Sequence, residues 1–164
     1  MSTETPAHRW FRAAYEEARR SAAALRESLG RVAIPATPEA LDRLDPDAKD
    51  RIDAFVLRFL RLQDALGRQV FRALLALEQE DEPEALSQLD VLDRMERLGI
   101  VPSVEAWSEL RRLRNMLTHD YPEHPELRLE ALRKALAGSA LLLEVMERVG
   151  RRAAGRHGLD LTGS

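Results

Sequence analysis

Residues 45–77 carry the longest apolar pattern in the chain, DPDAKDRIDAFVLRFLRLQDALGRQVFRALLAL. Asp45 followed by Pro46 is typical of a helix start, because aspartate caps free backbone N–H groups and proline suits the first helical position. Hydrophobic residues then recur every three or four positions, as on one face of an α-helix. They are Ile52, Phe55, Val56, Phe59, Leu62, Leu66, Val70, Leu74 and Leu77. The stretch predicts one long helix that spans the domain and ends at the acidic run 78–82, before Pro83.

Similar patterns predict two helices before this stretch. An apolar stripe in residues 10–29 stops before Gly30, a residue type that is common at helix ends. Thr37 and Pro38 repeat the signal of a cap followed by proline. They predict a short extra helix that reaches Leu44.

Two more amphipathic segments follow the central stretch. The first covers residues 86–95 and stops at Gly99, again a typical helix end. Ser103 then caps a helix with its own apolar stripe. We expect this helix to end near Asp120, because Pro122 disfavours helical geometry at the residue before it.

The last segment begins at Pro125 and has a weak point at Gly138, and a frayed tail is expected beyond Gly150. The two-residue alternation and hairpin turns that are typical of strands are missing from the sequence. Short connections between consecutive helices favour antiparallel neighbours. We therefore predict an all-α fold, an antiparallel up-down four-helix bundle with an extra short helix, in a single domain 1–164 with its core at 46–150.

Composition limits the classes of function. With 45% hydrophobic and 32% charged residues, a chain of 164 residues can bury a core without disulfides or a structural metal. Cysteine is absent, which excludes thiol nucleophiles and cysteine-based metal sites. The formal net charge of −3 argues against binding of nucleic acid by bulk electrostatics, so any RNA contact must be local. No secretory signal or membrane span is visible, which favours the cytoplasm, and no cofactor is expected.

Polar and titratable residues concentrate at the end of the helix that Ser103 caps. Residues 109–122 read ELRRLRNMLTHDYP. Arg114 and His119 are five positions apart, which places them about 140° apart on a regular helix. If the backbone turns outward after Thr118, His119 can swing toward Arg114, so that both side chains point into one cleft.

This motif, Arg114-Asn115 followed by His119 and Tyr121, resembles the Arg-Asn-x-x-x-His-x-Tyr signature of the HEPN superfamily, and in particular of the HepT-like toxins. The resemblance covers roughly residues 46–150 and includes the helical frame, the chain length and the position of the motif late in a helix. It implies the toxin of a toxin-antitoxin system, a ribonuclease with no need for a metal ion. It also implies a homodimer in which two copies of the motif face each other across a shared groove.

The four motif residues suit the chemistry of metal-independent RNA cleavage. That reaction needs a group that moves a proton at the ribose 2′-hydroxyl or the leaving 5′-oxygen, and a cation beside the phosphate. We assign the proton transfer to His119, because an imidazole exchanges protons near neutral pH, and the phosphate contact to Arg114. Asn115 is expected to orient the phosphate or ribose, and Tyr121 to stack on a base or bond to the phosphate.

The resemblance also implies a partner protein. In HepT-like families a nucleotidyltransferase antitoxin attaches AMP to the motif tyrosine, which corresponds to Tyr121 in this sequence. A bulky anionic nucleotide on its hydroxyl would fill the groove and repel RNA phosphates. The modification is therefore expected to silence the ribonuclease.

Simpler interpretations of the same residues stay open. Arg114 would then pair with Glu109 or Asp120, His119 would be a cation favoured by the helix C-terminus, and Tyr121 would pack against the bundle. A second alternative is a non-catalytic HEPN subunit that binds nucleotide or protein and supports a nucleotidyltransferase. A third is an unrelated helical interaction protein.

Other polar clusters give weaker signals. Four residues close in sequence could suggest a metal site, but the turn through Pro122 and Pro125 argues against their convergence. They are His119, Asp120, Glu123 and His124. His8 and His157 are expected to be exposed histidines, and the acidic run 78–84 is expected to be a solvated helix end or a dock for a basic partner. The arginines of residues 148–156 are expected to form a solvated basic tail that can attract polyanions.

Overall fold

The fold follows the helical periodicity of the sequence. The computed structural model describes residues 3–119 and 123–162. Its α-helices are α1 (Pro6–Leu29), α2 (Pro38–Asp42), α3 (Pro46–Asp64), α4 (Phe71–Leu77), α5 (Gln88–Arg97), α6 (Val104–Leu117) and α7 (Pro125–His157). A π-helical segment, Ala65–Val70, joins α3 to α4 into one continuous rod, and Pro83–Ala85 form a 3₁₀ turn. No strand occurs in these two ranges, so the all-α fold is confirmed.

Three predicted helix starts have the geometry that their sequences indicate. The side chains of Thr37, Asp45 and Ser103 each accept a hydrogen bond from the backbone N–H three residues further along. Each bond satisfies a donor that the first helical turn leaves free. α6, the helix that carries the motif, therefore begins where the sequence predicts.

Contacts at the ends of the helices give their directions. The guanidinium of Arg12 donates a 2.8 Å hydrogen bond to the carbonyl of Asp160, and Arg26 lies 3.8 Å from Glu147. The start of α1 therefore lies beside the segment that follows α7, and the end of α1 lies beside an earlier part of α7. These two helices run antiparallel.

α6 has the opposite direction to the long rod of α3 and α4. Near its start, Trp107 packs its ring 4.8 Å from that of Phe71, and near its end Arg114 bonds to Asp64. α7 runs parallel to the rod, since Arg128 lies 3.6 Å from Asp53 near its start and its later part reaches residue 78. α1, the rod, α6 and α7 therefore alternate in direction around one core, as an up-down bundle requires.

The core between these helices is closely packed. Phe11, Phe55, Phe59, Phe71 and Trp107 are among its fully buried side chains. A smaller cluster lies beside the main core and fixes the short helix α2 against α3 and α7. It contains Leu41, Ile52, Leu129 and Leu132. None of the helices in the described ranges combines the length and apolar character that membrane crossing requires.

The C-terminal part of α7 differs from the prediction. α7 continues seven residues past Gly150 to His157, and Leu159 is only 5% exposed. A Cβ atom at Gly150 would lie 2.7 Å from the hydroxyl of Tyr15, so this glycine marks a close approach of α1 rather than a helix end. The predicted frayed tail is therefore wrong.

Ion pairs also hold this end of α7. The Arg152 guanidinium forms two hydrogen bonds with the carboxylate of Glu78, and Nε2 of His157 lies 3.0 Å from the same carboxylate. The side chains of His157 and Glu78 are 16% and 17% exposed. The predictions of an exposed His157 and of a wholly solvated acidic run are therefore wrong for these two residues.

Candidate functional site

Arg114, in the last turn of α6, is held in a fixed direction by Asp64, the last residue of α3. Its Nε donates to Oδ1 of Asp64 over 2.7 Å, and its second terminal nitrogen donates to Oδ2 over 2.9 Å. Such a bidentate pair fixes the guanidinium plane as well as its position. The bond to Asp64 raises the pKa of Arg114 above its ordinary value, so the guanidinium stays charged. Among the described residues, the acidic partner of Arg114 is Asp64 of another helix, and Glu109 pairs with Arg112 instead.

Asn115 lies beside this pair. Its Oδ1 is 3.4 Å from the remaining terminal nitrogen of Arg114. Both residues line a cavity of about 190 Å³ between α3, the π-helical segment and α6. Its lining consists of Gln63, Asp64, Gly67, Arg68, Gln88, Arg111, Arg114 and Asn115. We call it the arginine cavity, because three arginines face one carboxylate, which Arg114 already engages with both oxygens.

The π-helical segment and Gly67 explain how this cavity forms. π-helical turns are rare and occur often at functional sites. A Cβ atom at Gly67 would lie 3.4 Å from the ring of Trp107, so the glycine lets α6 approach the rod closely. Because the two helices are antiparallel, Arg68 and Arg111 lie about one helical turn from the Asp64 and Arg114 pair, on opposite walls.

His119 is exposed just beyond the end of α6 and lines a different cavity. This second cavity has a volume of about 220 Å³ and is mostly apolar, with Leu57, Leu60 and Met116 among its lining residues. We call it the His119 cavity. Among the described residues, Arg114 and Asn115 line the arginine cavity, whereas His119 lines the His119 cavity.

The path of the backbone explains this separation. The N–H of Thr118 bonds to the carbonyl of Arg114, and the N–H of His119 bonds to that of Met116, so the chain keeps winding past Leu117. Thr118 itself has helical dihedral angles of −79° and −12°. As far as His119 the described backbone makes no outward turn. Residues 120–122 lie outside the described ranges, so the convergence of His119 on Arg114 stays a prediction.

The remaining predicted site residue, Tyr121, lies outside the described residues, as do Asp120 and Pro122. Its roles in stacking and modification stay predictions. His124 pairs with Glu126 across 3.2 Å. In residues 3–119 and 123–162 no three histidine or acidic side chains are placed to hold a metal ion.

Six of the eight residues that line the arginine cavity were not singled out from the sequence: Gln63, Asp64, Gly67, Arg68, Gln88 and Arg111. The sequence carried little signal for Gln63 and Asp64, because α3 is amphipathic and carries many other polar and charged residues. Gln63 is only 4% exposed, which is unusual for a side chain with an amide group. Local periodicity could not show that this pair faces the motif, because 50 residues separate Asp64 from Arg114.

Comparisons of the chain with protein-family models, with curated proteins and with solved structures found no match.

Proposed function

We propose that the chain is a HEPN-type ribonuclease and the toxin of a toxin-antitoxin pair, in which Arg114 binds the scissile phosphate and His119 moves a proton. The supporting observation is the ion pair with Asp64, which directs a permanently charged Arg114 into an open cavity that two more arginines line. In a chain of net charge −3, this is the local positive site that RNA contact needs. The helical bundle and the motif late in α6 agree with the proposal.

The reaction that suits these groups needs no metal ion. The ribose 2′-oxygen attacks phosphorus and gives up its proton to a base, while the bond from phosphorus to the 5′-oxygen breaks. The leaving 5′-oxygen takes up a proton, and the products are a 2′,3′-cyclic phosphate and a 5′-hydroxyl. His119 serves one of these proton transfers, and Arg114 stabilises the charge that develops on the phosphate oxygens.

The separation of Arg114 and His119 makes a homodimer part of this proposal. Among the described residues, Arg114 and His119 line different cavities, and in this proposal a second copy brings its His119 to a phosphate held by Arg114 of the first. Leu57, which lines the His119 cavity, is 46% exposed and offers apolar area for such a contact. RNA would then lie in the groove between the two copies.

The proposal includes a nucleotidyltransferase antitoxin that attaches AMP to Tyr121. Tyr121 follows His119 by two residues, so a nucleotide on its hydroxyl would stand close to the catalytic histidine. Its negative charge would repel RNA phosphates. The antitoxin would thus block the site without covering the whole protein.

The second candidate is a non-catalytic HEPN subunit that binds nucleotide or protein. The observation that favours it is the same separation of His119 from Arg114 within one chain. In that case the arginine cavity binds an anionic group but no proton transfer follows. The two candidates differ in whether RNA is cut.

The test is RNA cleavage by the purified protein in the presence of a chelator. We expect His119→Ala and Arg114→Ala each to lower the cleavage rate at least about 100-fold, the effect of removing a proton-transfer group or a charge-stabilising donor. Arg112→Ala and His124→Ala are matched controls, because both side chains are exposed and their ion pairs among the described residues are with nearby Glu109 and Glu126. The controls should keep the wild-type rate.

Expression in a bacterial host adds a second measurement. The wild-type chain should arrest growth, and the two motif variants should relieve the arrest. Binding of RNA without cleavage by the wild type would favour the non-catalytic subunit. Cleavage that survives in both motif variants would contradict the assignment of these residues.

A further inference from the structure

We infer that the arginine cavity is a subsite for a backbone phosphate of RNA, and that Gln63, Arg68 and Arg111 bind this phosphate beside Arg114. The inference rests on the proposed function and names the residues that hold its substrate. One helical turn, about 5.4 Å, separates Arg68 and Arg111 from the Asp64 and Arg114 pair. The backbone of one RNA strand can therefore contact Arg68 and Arg111 as well as Arg114.

The arginine cavity carries a net positive charge, which favours the binding of an anion. Arg68 and Arg111 are exposed and form no ion pair or hydrogen bond with any described residue. Arg72, one turn further along the rod, differs because it bonds to the side chain of Gln88 and the carbonyl of Leu86. Two like charges on facing walls repel each other, and a bound phosphate would replace this repulsion with attraction.

Gln63 adds an uncharged donor and acceptor to the lining of the arginine cavity. Its side chain lines the cavity, is 4% exposed and forms no hydrogen bond within the described part of the chain. Its amide atoms are not among the buried polar atoms that lack a partner, so they reach the open space of the cavity and can bond to a ligand there. A phosphate oxygen would accept from its NH₂ group, and its carbonyl oxygen would accept from a ribose 2′-hydroxyl.

The arginine cavity is large enough for a single phosphate group but small for a whole drug-sized molecule. Its volume of about 190 Å³ lies below the roughly 300 Å³ at which pockets for drug-sized ligands begin. Arginine guanidinium groups bind phosphate through paired N–H donors. A phosphate that belongs to a longer RNA strand fits both facts, because the rest of the strand remains outside the cavity.

The experiment measures binding of a short labelled RNA to the full chain by fluorescence anisotropy. All variants carry His119→Ala in addition, so that the RNA is not cut during the measurement. We expect Arg68→Ala and Arg111→Ala each to weaken binding about tenfold, the loss of one charge-assisted contact. Each should also make the slope of log affinity against log salt shallower by about 0.7, the value for one phosphate contact on a single strand.

Two exposed arginines outside the cavity serve as matched controls. Arg51→Ala removes the same charge from α3, where Arg51 has no ion pair among the described residues, and Arg112→Ala removes it from α6. Both should change the affinity less than about twofold. Gln63→Leu keeps the buried volume, so it should weaken binding while the midpoint of thermal unfolding stays the same or rises.

The outcomes separate this inference from the proposed function. If the Arg68 and Arg111 variants bind RNA as tightly as the controls while the wild type cuts RNA through His119, the subsite is refuted and the function stands. If binding depends on both arginines but the wild type does not cut RNA, the subsite stands and the function fails. If 5′-AMP binds with this dependence and RNA does not, the cavity is a nucleotide site and the inference is overturned.

Discussion

Asp64 determines where the motif arginine points. A free arginine side chain samples many rotamers, and holding one costs conformational entropy. Asp64 holds the Arg114 side chain in one conformation before any ligand binds, because its carboxylate accepts two hydrogen bonds of 2.7 and 2.9 Å from the guanidinium. The remaining terminal nitrogen donates to Oδ1 of Asn115 over 3.4 Å, and both residues line the arginine cavity. Asp64 is thus a positioning residue rather than a catalytic one.

A double-mutant cycle on this pair tests the coupling. The two side chains are 24% and 31% exposed, so we expect Arg114→Ala and Asp64→Asn each to lower the free energy of unfolding by about 1 kcal/mol, with a coupling energy of about 1 kcal/mol. Urea denaturation measures all four proteins. The pair of Arg112 and Glu109 is the control, because its side chains are 68% and 65% exposed and solvent screens their attraction. Equal coupling in the two pairs would contradict a special role for Asp64.

At the scale of helices, the sequence predicts features that depend on residues a few positions apart, such as the starts of helices. The caps at Asp45 and Ser103 act on backbone groups three residues away, and they lie where the sequence places them. The contacts that the sequence did not predict join distant positions, such as Glu78 and Arg152, which are 74 residues apart. Periodicity shows which face of a helix is apolar, but it does not show which residue of another helix meets it.

Gly138 illustrates the same limit. The sequence marks it as a weak point inside α7, whereas in the structure it is a site of close contact with α6. A Cβ atom there would lie 2.8 Å from Cδ2 of Leu110, a side chain only 5% exposed. An added side chain at this position would therefore force Leu110 to shift. The helix continues through it because the contacts with α6 outweigh the low helix propensity of glycine.

Two alanine substitutions in α7 test this explanation. Gly138→Ala should lower the free energy of unfolding by about 1–3 kcal/mol, because Leu110 has to move within the core. Gly155→Ala should raise it by about 0.5–1 kcal/mol, since Gly155 is exposed in the same helix and an added Cβ meets nothing within 4 Å. Urea unfolding followed by circular dichroism gives both values. A gain at both positions would show that the contact with Leu110 is not restrictive.

At the scale of the whole molecule, the ion pairs at Glu78 connect the end of the rod of α3 and α4 to the end of α7. Glu78 follows the last residue of α4, and its carboxylate bonds to Arg152 and His157 near the end of α7. The hydrogen bonds from Arg152, with a smaller contribution from His157, lower the pKa of Glu78 to about 2. The ordinary value of 4.5 applies once the chain unfolds and these donors are lost.

This difference in pKa predicts how stability depends on pH. A carboxyl group whose pKa is lower in the folded state stabilises the fold fully above its unfolded pKa, and this stabilisation is lost as pH falls through its folded pKa. Glu78→Gln should therefore lower the free energy of unfolding by about 1–3 kcal/mol at pH 7, as removal of one partner from a charged hydrogen bond does. The deficit should shrink below pH 4.5 and vanish near pH 2. Glu84→Gln, at an exposed position in the same acidic run, is the control and should leave the stability unchanged. Denaturation curves across this pH range measure the deficit, and a deficit that persists undiminished at pH 2 would show that Glu78 stabilises the bundle through packing rather than through its charge.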